Sequence, residues 1–297
     1  MKAVFAVCVR NVERQLSFVL ANIERIATIY DDAAFVFVEN DSNDNTRRLL
    51  QGWCAARSNA RLISEDGVVD RLPPRTVRIA WARNECLSRI KSAFAEFNHL
   101  IVADGDEVNA APIDLEGFKR AAAFLEVSPN RAAVFANQIG VYYDLWALRH
   151  KRLCPKDIWE ETFDAARRNG LSDQEAYQRV FAPKVFSLNP ADPPVRVESA
   201  FGGLGIYKIK SVLENTHAYE GYKIKSIKTA GKIAHMGWQK CEHVSFHEGF
   251  AKRGQTLFIV PSFINAKTGS ILNFNPSGHR FLMFDPSTFA PLTFTSV

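Results

Sequence analysis

Two aspartates separated by one glycine, Asp104-Gly105-Asp106, close an apolar run over residues 99–103. Side chains at i and i+2 of a strand share a face. At a strand end such a pair can hold one hard cation against phosphate oxygens, with Gly105 letting the backbone come close. Asp-Gly is also a common turn pair, so a plain polar turn is the alternative. A calcium loop of the EF-hand type is excluded, because Asn109 stands where its glycine is required and Leu115 where its bidentate Glu is required. Few carboxylates plus a diphosphate make an oxygen-rich octahedral site, which suits Mn²⁺ or Mg²⁺ better than Ca²⁺ or Zn²⁺.

Four other groups of residues could act with this pair. Glu242, at the head of the stretch Cys241-Glu242-His243-Val244-Ser245-Phe246-His247, can orient or deprotonate a hydroxyl, as can an imidazole such as His243. His243 and His247 at i, i+4 share a helix face and could ligate a metal. H-E-x-x-H is absent, however, and Cys241 is the one soft ligand nearby, which disfavours a zinc hydrolase. Arg83 carries the forked donors that suit a diphosphate, and its alternative is an ordinary exposed helix residue. Glu39 and Asp41 can accept from base N–H groups or ribose hydroxyls, while Ser42, Asp44 or Thr46 beside them can cap the next helix. Gly202-Gly203-Leu204-Gly205 partly mimics a dinucleotide fingerprint but lacks its third glycine and its partner acid, so a Rossmann cofactor site is rejected.

The elements that must position these residues alternate. Residues 3–9 form an apolar run. Leu16, Val19, Leu20, Ile23 and Ile26 then recur at helical spacing, and residues 35–38 are apolar again before the acidic loop. A strand over 61–64, a helix over about 79–97 and the strand ending at Asp104 complete the pattern. The fold class is therefore α/β, with a mainly parallel Rossmann-like sheet flanked by helices, and ligands at the carboxyl ends of the strands. Residues 151–192 switch to amphipathic helix bounded by prolines, which predicts an inserted helical lid. A Phe-rich tail over 270–297 shows no period.

The 297 residues carry 47% hydrophobic and 23% charged side chains with a net charge of +5, the profile of one globular domain that folds without disorder. Basic residues are scattered without interleaved aromatics, so no nucleic-acid partner is expected. Five separated cysteines without a C-x-x-C pair argue for a reducing cytoplasm, and no run reaches the ~18 apolar residues of a spanning helix, so membrane contact is at most peripheral. Oligomeric state is open.

Several of these stretches resemble family-2-like glycosyltransferases: the acidic loop with Glu39 and Asp41, Arg10-Asn11 after the first strand, Ala82-Arg83-Asn84, Asp104-Gly105-Asp106, the Gly202-Gly203 loop, and Cys241-Glu242. Their order, with Tyr142-Tyr143-Asp144-Leu145-Trp146-Ala147-Leu148-Arg149 between them, is similar to that of the fungal capsule-associated α-1,3-mannosyltransferase family. The resemblance implies the GT-A fold, a GDP- or UDP-sugar donor with GDP-mannose foremost, Mn²⁺ or Mg²⁺, and a glycan or lipid-linked acceptor met in the cytoplasm or at the inner membrane face. It implies that Arg10, Asn11, Glu39, Asp41, Arg83, Asn84 and Asp104 meet the nucleotide sugar, and that Asp104, Asp106 and His247 lie at the metal. It further implies that Trp146, Arg149, Gly202 and Gly203 meet sugar or acceptor, and that Glu242, His243 and Asp144 are catalytic. His243 stands where the family-2 catalytic Asp would be.

Two other functions compete. A sugar nucleotidyltransferase needs a Gly-rich basic loop after the first strand, and Val9-Arg10-Asn11-Val12-Glu13 has no glycine. A non-catalytic glycan- or nucleotide-sugar-binding protein of the same fold is kept alive by His243.

Overall fold

The structure is a computed structural model and describes residues 1–229, 232–267 and 283–290. The first apolar run is β1 (Lys2–Val9), followed by α1 (Glu13–Ala27), β2 (Asp32–Asn40), α2 (Thr46–Ala55) and β3 (Ala60–Glu65). One-turn α3 (Val68–Arg71) and long α4 (Arg75–Ala93) lead into β4 (His99–Asp104). The chain continues through α5 (Leu115–Glu126), β5 (Arg131–Ile139), α6 (Ile158–Asn169), short α7 (Asp173–Ala176), β6 (Val195–Val197), β7 (Leu204–Lys208) and α8 (Ile209–Glu214). It closes with a hairpin of β8 (Tyr222–Thr229) and β9 (Lys232–Gln239), then α9 (Glu242–Lys252), β10 (Thr256–Lys267) and β11 (Met283–Phe284).

Eight strands share one sheet in the order β3-β2-β1-β4-β7-β5-β10-β6, and β11-β9-β8 form a smaller one. β3, β2, β1 and β4 are parallel, as are β5 and β10; antiparallel β7 joins the two halves and antiparallel β6 forms the edge. The expected mainly parallel α/β sheet is what the chain forms. Alternation along the strands explains why it reads as unbroken apolar runs. Val4, Ala6, Val36, Val38, Leu100 and Val102 pack into the core on one face, and Phe5, Val7, Phe35, Phe37, Ile101 and Ala103 into the core on the other.

In α1 the predicted stripe Leu16, Val19, Leu20, Ile23 and Ile26 is buried. Asn22 sits in the same stripe, and its Nδ2 donates to the carbonyls of Asn109 and Ala111, each at 2.7 Å. That pair of bonds ties the loop after Asp106 to the helix.

α4 begins one turn earlier than its apolar pattern indicates. Pro74 holds an extended backbone (φ −67°, ψ 127°) that leads directly into the first turn at Arg75. The helix ends at Ala93, after which Phe94 and Phe97 pack edge to face, 5.2 Å apart. Residues 142–149 contain no extended strand: 145–147 form a turn and Arg149 makes an isolated bridge to Ser199.

Within residues 151–192 the helical elements lie between Ile158 and Lys184. Asp157 caps α6 by accepting from the backbone N–H of Trp159 and Glu160, and Ser172 with Glu175 forms a capping box for α7. Phe163 rests 4.7 Å from Trp238 of the smaller sheet. Of the Phe-rich tail over 270–297, residues 283–290 are described and the rest lies outside the described residues. No described helix is long and apolar enough to cross a membrane.

Candidate active site

Asp104 is the last residue of β4, and its backbone N–H donates to the Gly203 carbonyl at 2.9 Å. The chain then turns sharply. Asp106 Oδ1 accepts from the Val108 N–H at 3.2 Å and starts a short 3-10 turn over Glu107–Asn109. Asn109 Nδ2 donates to the Asp104 and Gly203 carbonyls at 2.9 and 2.8 Å. A Cβ at position 105 would lie 2.3 Å from Val9 Cγ1 and 3.2 Å from the Cys8 carbonyl, so the close approach of β1 requires glycine here.

Arg83, on α4 and only 4% exposed, bridges two carboxylates. Its Nη2 donates to Asp104 Oδ1 and its Nε to Glu242 Oε1, each at 2.8 Å. Nη1 is buried with no partner among the described residues. The guanidinium also stacks 4.8 Å from the Phe201 ring. Burial raises the Asp104 carboxyl above the ordinary range, and the Arg83 charge opposes that rise. The two acids keep Arg83 protonated against its own burial.

These groups line a cavity of about 470 Å³ at the carboxyl edge of the parallel strands. Asp106, Asp144, Tyr143, Trp146, Glu242 and His243 join them there, and Trp159 of α6 and Phe181 close the far wall. Asp144 is fixed by backbone donors, from Ala147 at 3.2 Å and Gly202 at 3.0 Å, while burial raises its carboxyl. His243 is stacked on Phe201 at 3.9 Å. Its Nε2 lies 3.6 Å from Glu242 Oε1, too far for a hydrogen bond, and neither ring nitrogen has a hydrogen-bond partner among the described residues. Burial, with Arg83 and His247 nearby, pushes the imidazole well below its ordinary range, so it is neutral. Burial and the three carboxylates Asp144, Asp104 and Asp106 raise the Tyr143 hydroxyl far above its usual value.

Several expected site residues do other work. Both nitrogens of His247 are taken at 2.9 Å, Nδ1 by Ser199 Oγ and Nε2 by the Tyr207 hydroxyl, so its ring is engaged within the core. Glu39 is fully buried and accepts from the Ser42 N–H, Arg47 Nε and Ser64 Oγ. Asp41 accepts from the Gly67 and Val69 N–H groups at 2.6 and 2.9 Å. Asn11 (φ 54°) accepts from the Asn43 N–H, tying two loops together. Asn84 pairs with both backbone groups of Tyr219, at 2.9 and 3.0 Å. Arg149 holds the Trp146 and Leu148 carbonyls and Asp157, and lines a separate groove.

Gly202 and Gly203 (φ 67° and 82°) do not face the cavity. A Cβ at either would meet Ala136 O at 2.6 Å or Val108 Cγ1 at 2.5 Å, so the pair packs tightly behind the Asp144 and Asp104 positions.

The sequence reading missed Arg75 and Arg78, which also line the cavity. A signal was present: Arg75, Arg78, Ile79, Ala82 and Arg83 stand at i, i+3, i+4, i+7 and i+8, one face of a helix. Starting the helix at residue 79 hid it.

The sequence matches no family model and no curated protein. Among solved structures the chain is similar to a mannosyltransferase from Pyrobaculum calidifontis, solved with GDP-Man and Mn²⁺, with a TM-score of 0.51 and 14% identity, covering 92% of this chain and 58% of that one. The fold is that of the GT-A glycosyltransferases. The TM-score is 0.48 with S. aureus TarS 1–349, at 12% identity and covering 95% of this chain and 69% of that one. It is 0.44 with glucosyl-3-phosphoglycerate synthase from Mycobacterium tuberculosis bound to UDP, at 12% identity and covering 95% and 76%. This chain spans little more than half the length of the Pyrobaculum enzyme.

Proposed function

We propose that this protein is a metal-dependent glycosyltransferase that moves a hexose, foremost mannose from GDP-mannose, to a hydroxyl of a glycan or lipid-linked acceptor. The observation that carries the reading is the Arg83 bridge. One buried guanidinium joins Asp104 and Glu242 in the cavity that also holds Asp106, at the sheet edge where α/β folds bind ligands. The likeness of fold to a mannosyltransferase solved with GDP-Man and Mn²⁺ supports it, as does the resemblance of residues 142–149 to the fungal capsule-associated family.

The donor set fits a divalent cation. Arg83 occupies Asp104 Oδ1 and Val108 occupies Asp106 Oδ1, which leaves Oδ2 of each aspartate without a protein partner among the described residues. Those two carboxylate oxygens would hold the cation, with ligand and water oxygens as its other partners. When bound, the cation offsets charge on a leaving diphosphate.

The chain's own residues do the rest. Arg83 Nη1, buried and unpartnered, offers a fixed donor to a phosphate oxygen. Glu242, held at Oε1 by Arg83 and with Oε2 3.9 Å from the Cys241 thiol, is the carboxylate that can orient an acceptor hydroxyl and take its proton. His243 stays neutral beside it, because burial and the Arg83 charge oppose a proton on the ring. Trp146 and Trp159 cover the sugar end and exclude water, which suppresses hydrolysis of the donor.

The test is thermal unfolding with GDP, UDP, CDP and their sugar conjugates, each with and without Mn²⁺. A ligand at 100 times its Kd stabilises by about 2.7 kcal/mol. A shift that needs both metal and one nucleotide supports the assignment and names the base. No shift with any of them overturns it.

A further inference from the structure

Three arginines of the cavity are set apart from Arg83. Arg10 follows β1, and Arg75 and Arg78 lie in the first turn of α4. Arg10 donates from Nε to the Asp41 backbone carbonyl at 3.4 Å. Arg78 donates from Nη1 to the backbone carbonyls of Leu72 and Pro73, which leaves its Nε and Nη2 without an acceptor among the described residues. Arg75 has no hydrogen-bond or ion-pair partner among them.

No described carboxylate pairs with any of the three, whereas Arg47, Arg57, Arg71 and Arg149 each have one. The acid at this end, Asp41, spends its oxygens on Gly67, Val69 and Asn40. The half-buried Arg78 guanidinium holds its proton less tightly than usual, through burial and then the charges of Arg10 and Arg75. Three like charges on one cavity wall repel one another, and a bound anion reverses that cost.

We propose that Arg10, Arg75 and Arg78 form a phosphate subsite on the wall of the cavity built by the end of β1 and the first turn of α4. Three guanidiniums with no carboxylate partner among the described residues match a group whose oxygens only accept, and guanidinium forks suit phosphate in particular. The phosphate comes either from the donor's own diphosphate or from a phosphorylated acceptor. The inference rests on the proposed function only for which of these carries it.

The experiment is calorimetric titration of the full chain in EDTA with inorganic pyrophosphate, GDP and mannose 6-phosphate. It compares wild type, Arg75→Gln, and Arg75→Gln/Arg78→Gln. Loss of a charge-assisted contact predicts pyrophosphate binding about tenfold weaker or more in the double variant. The single variant, which breaks no internal bond, should show part of that loss at an unchanged thermal midpoint. A parallel loss for GDP assigns the phosphate to the donor, and a parallel loss for mannose 6-phosphate, whose phosphomonoester the donor does not contain, assigns it to the acceptor. Equal pyrophosphate affinity in all three proteins, or none in wild type, overturns the subsite. Because metal is absent throughout, a failure of Mn²⁺-dependent sugar transfer leaves this measurement standing.

Discussion

Arg83 and Glu242 stand 159 positions apart in sequence and meet at 2.8 Å, Nε to Oε1, in a site almost closed to solvent. The same guanidinium reaches Asp104, so one side chain compensates two acids. Replacing Arg83 by Met strands both carboxylates, and breaking a buried pair in this way costs about 3–5 kcal/mol. Urea unfolding of Arg83→Met should show a loss of that size, and Arg83→Met/Glu242→Met a smaller one. If the double variant is the less stable of the two, Glu242 is not the partner that matters.

Asp106→Asn separates charge from shape. The amide oxygen can still accept from the Val108 N–H, so unfolding should shift by less than about 1 kcal/mol. The Mn²⁺-dependent part of donor binding should disappear, as read by nucleotide titration with and without the metal. Unchanged metal dependence would remove Asp106 from the cation site.

Gly105→Ala puts a methyl group 2.3 Å from Val9 Cγ1. The ends of β1 and β4 must part to admit it, an overpacking cost of about 1–3 kcal/mol. That movement also displaces both aspartates. Circular-dichroism melting and donor affinity should therefore fall together; a stable variant with weakened binding would mean that the loop yields rather than the strands.

His247 is held neutral, its imidazole pushed by burial, then by Arg83, down to about 3 from the ordinary 6.5. The unfolded chain therefore binds a proton that the folded chain refuses as pH falls from about 6.5 toward 3. This group's stabilising share is full above 6.5 and shrinks on acidification, by at most ~1.4 kcal/mol per pH unit. His247→Gln removes that proton. The stability gap between wild type and variant should narrow from pH 7 to pH 5 in urea unfolding, and a constant gap would show that the imidazole titrates in the fold as it does in the unfolded chain.

The alternation of strand and helix was legible in sequence because burial on both faces leaves β1, β2 and β4 as unbroken apolar runs, and the α1 stripe follows the helical period. Those patterns are local, and they placed Asp104, Gly105 and Asp106 at a strand end. β5, α5 and the β8–β9 hairpin escaped notice: Arg131–Ile139 mixes Asn and Gln with small residues, and the hairpin alternates Lys with apolar residues at its exposed edge.

By itself, then, the sequence determined the fold class and which strand end carries the acids, since these follow from periodicity and burial along contiguous residues. Only the tertiary structure decided which polar groups are free to act. Glu39, Asp41, Asn84 and His247 have the right chemistry, yet each is bound to protein groups distant in sequence, Ser64, Gly67, Tyr219 and Ser199, and a donor or acceptor already engaged has less to offer a ligand. Arg83, Arg75 and Arg78 became a set because the start of α4 turns one helical face toward the cavity, and that start is fixed by Pro74 and the strands it packs against.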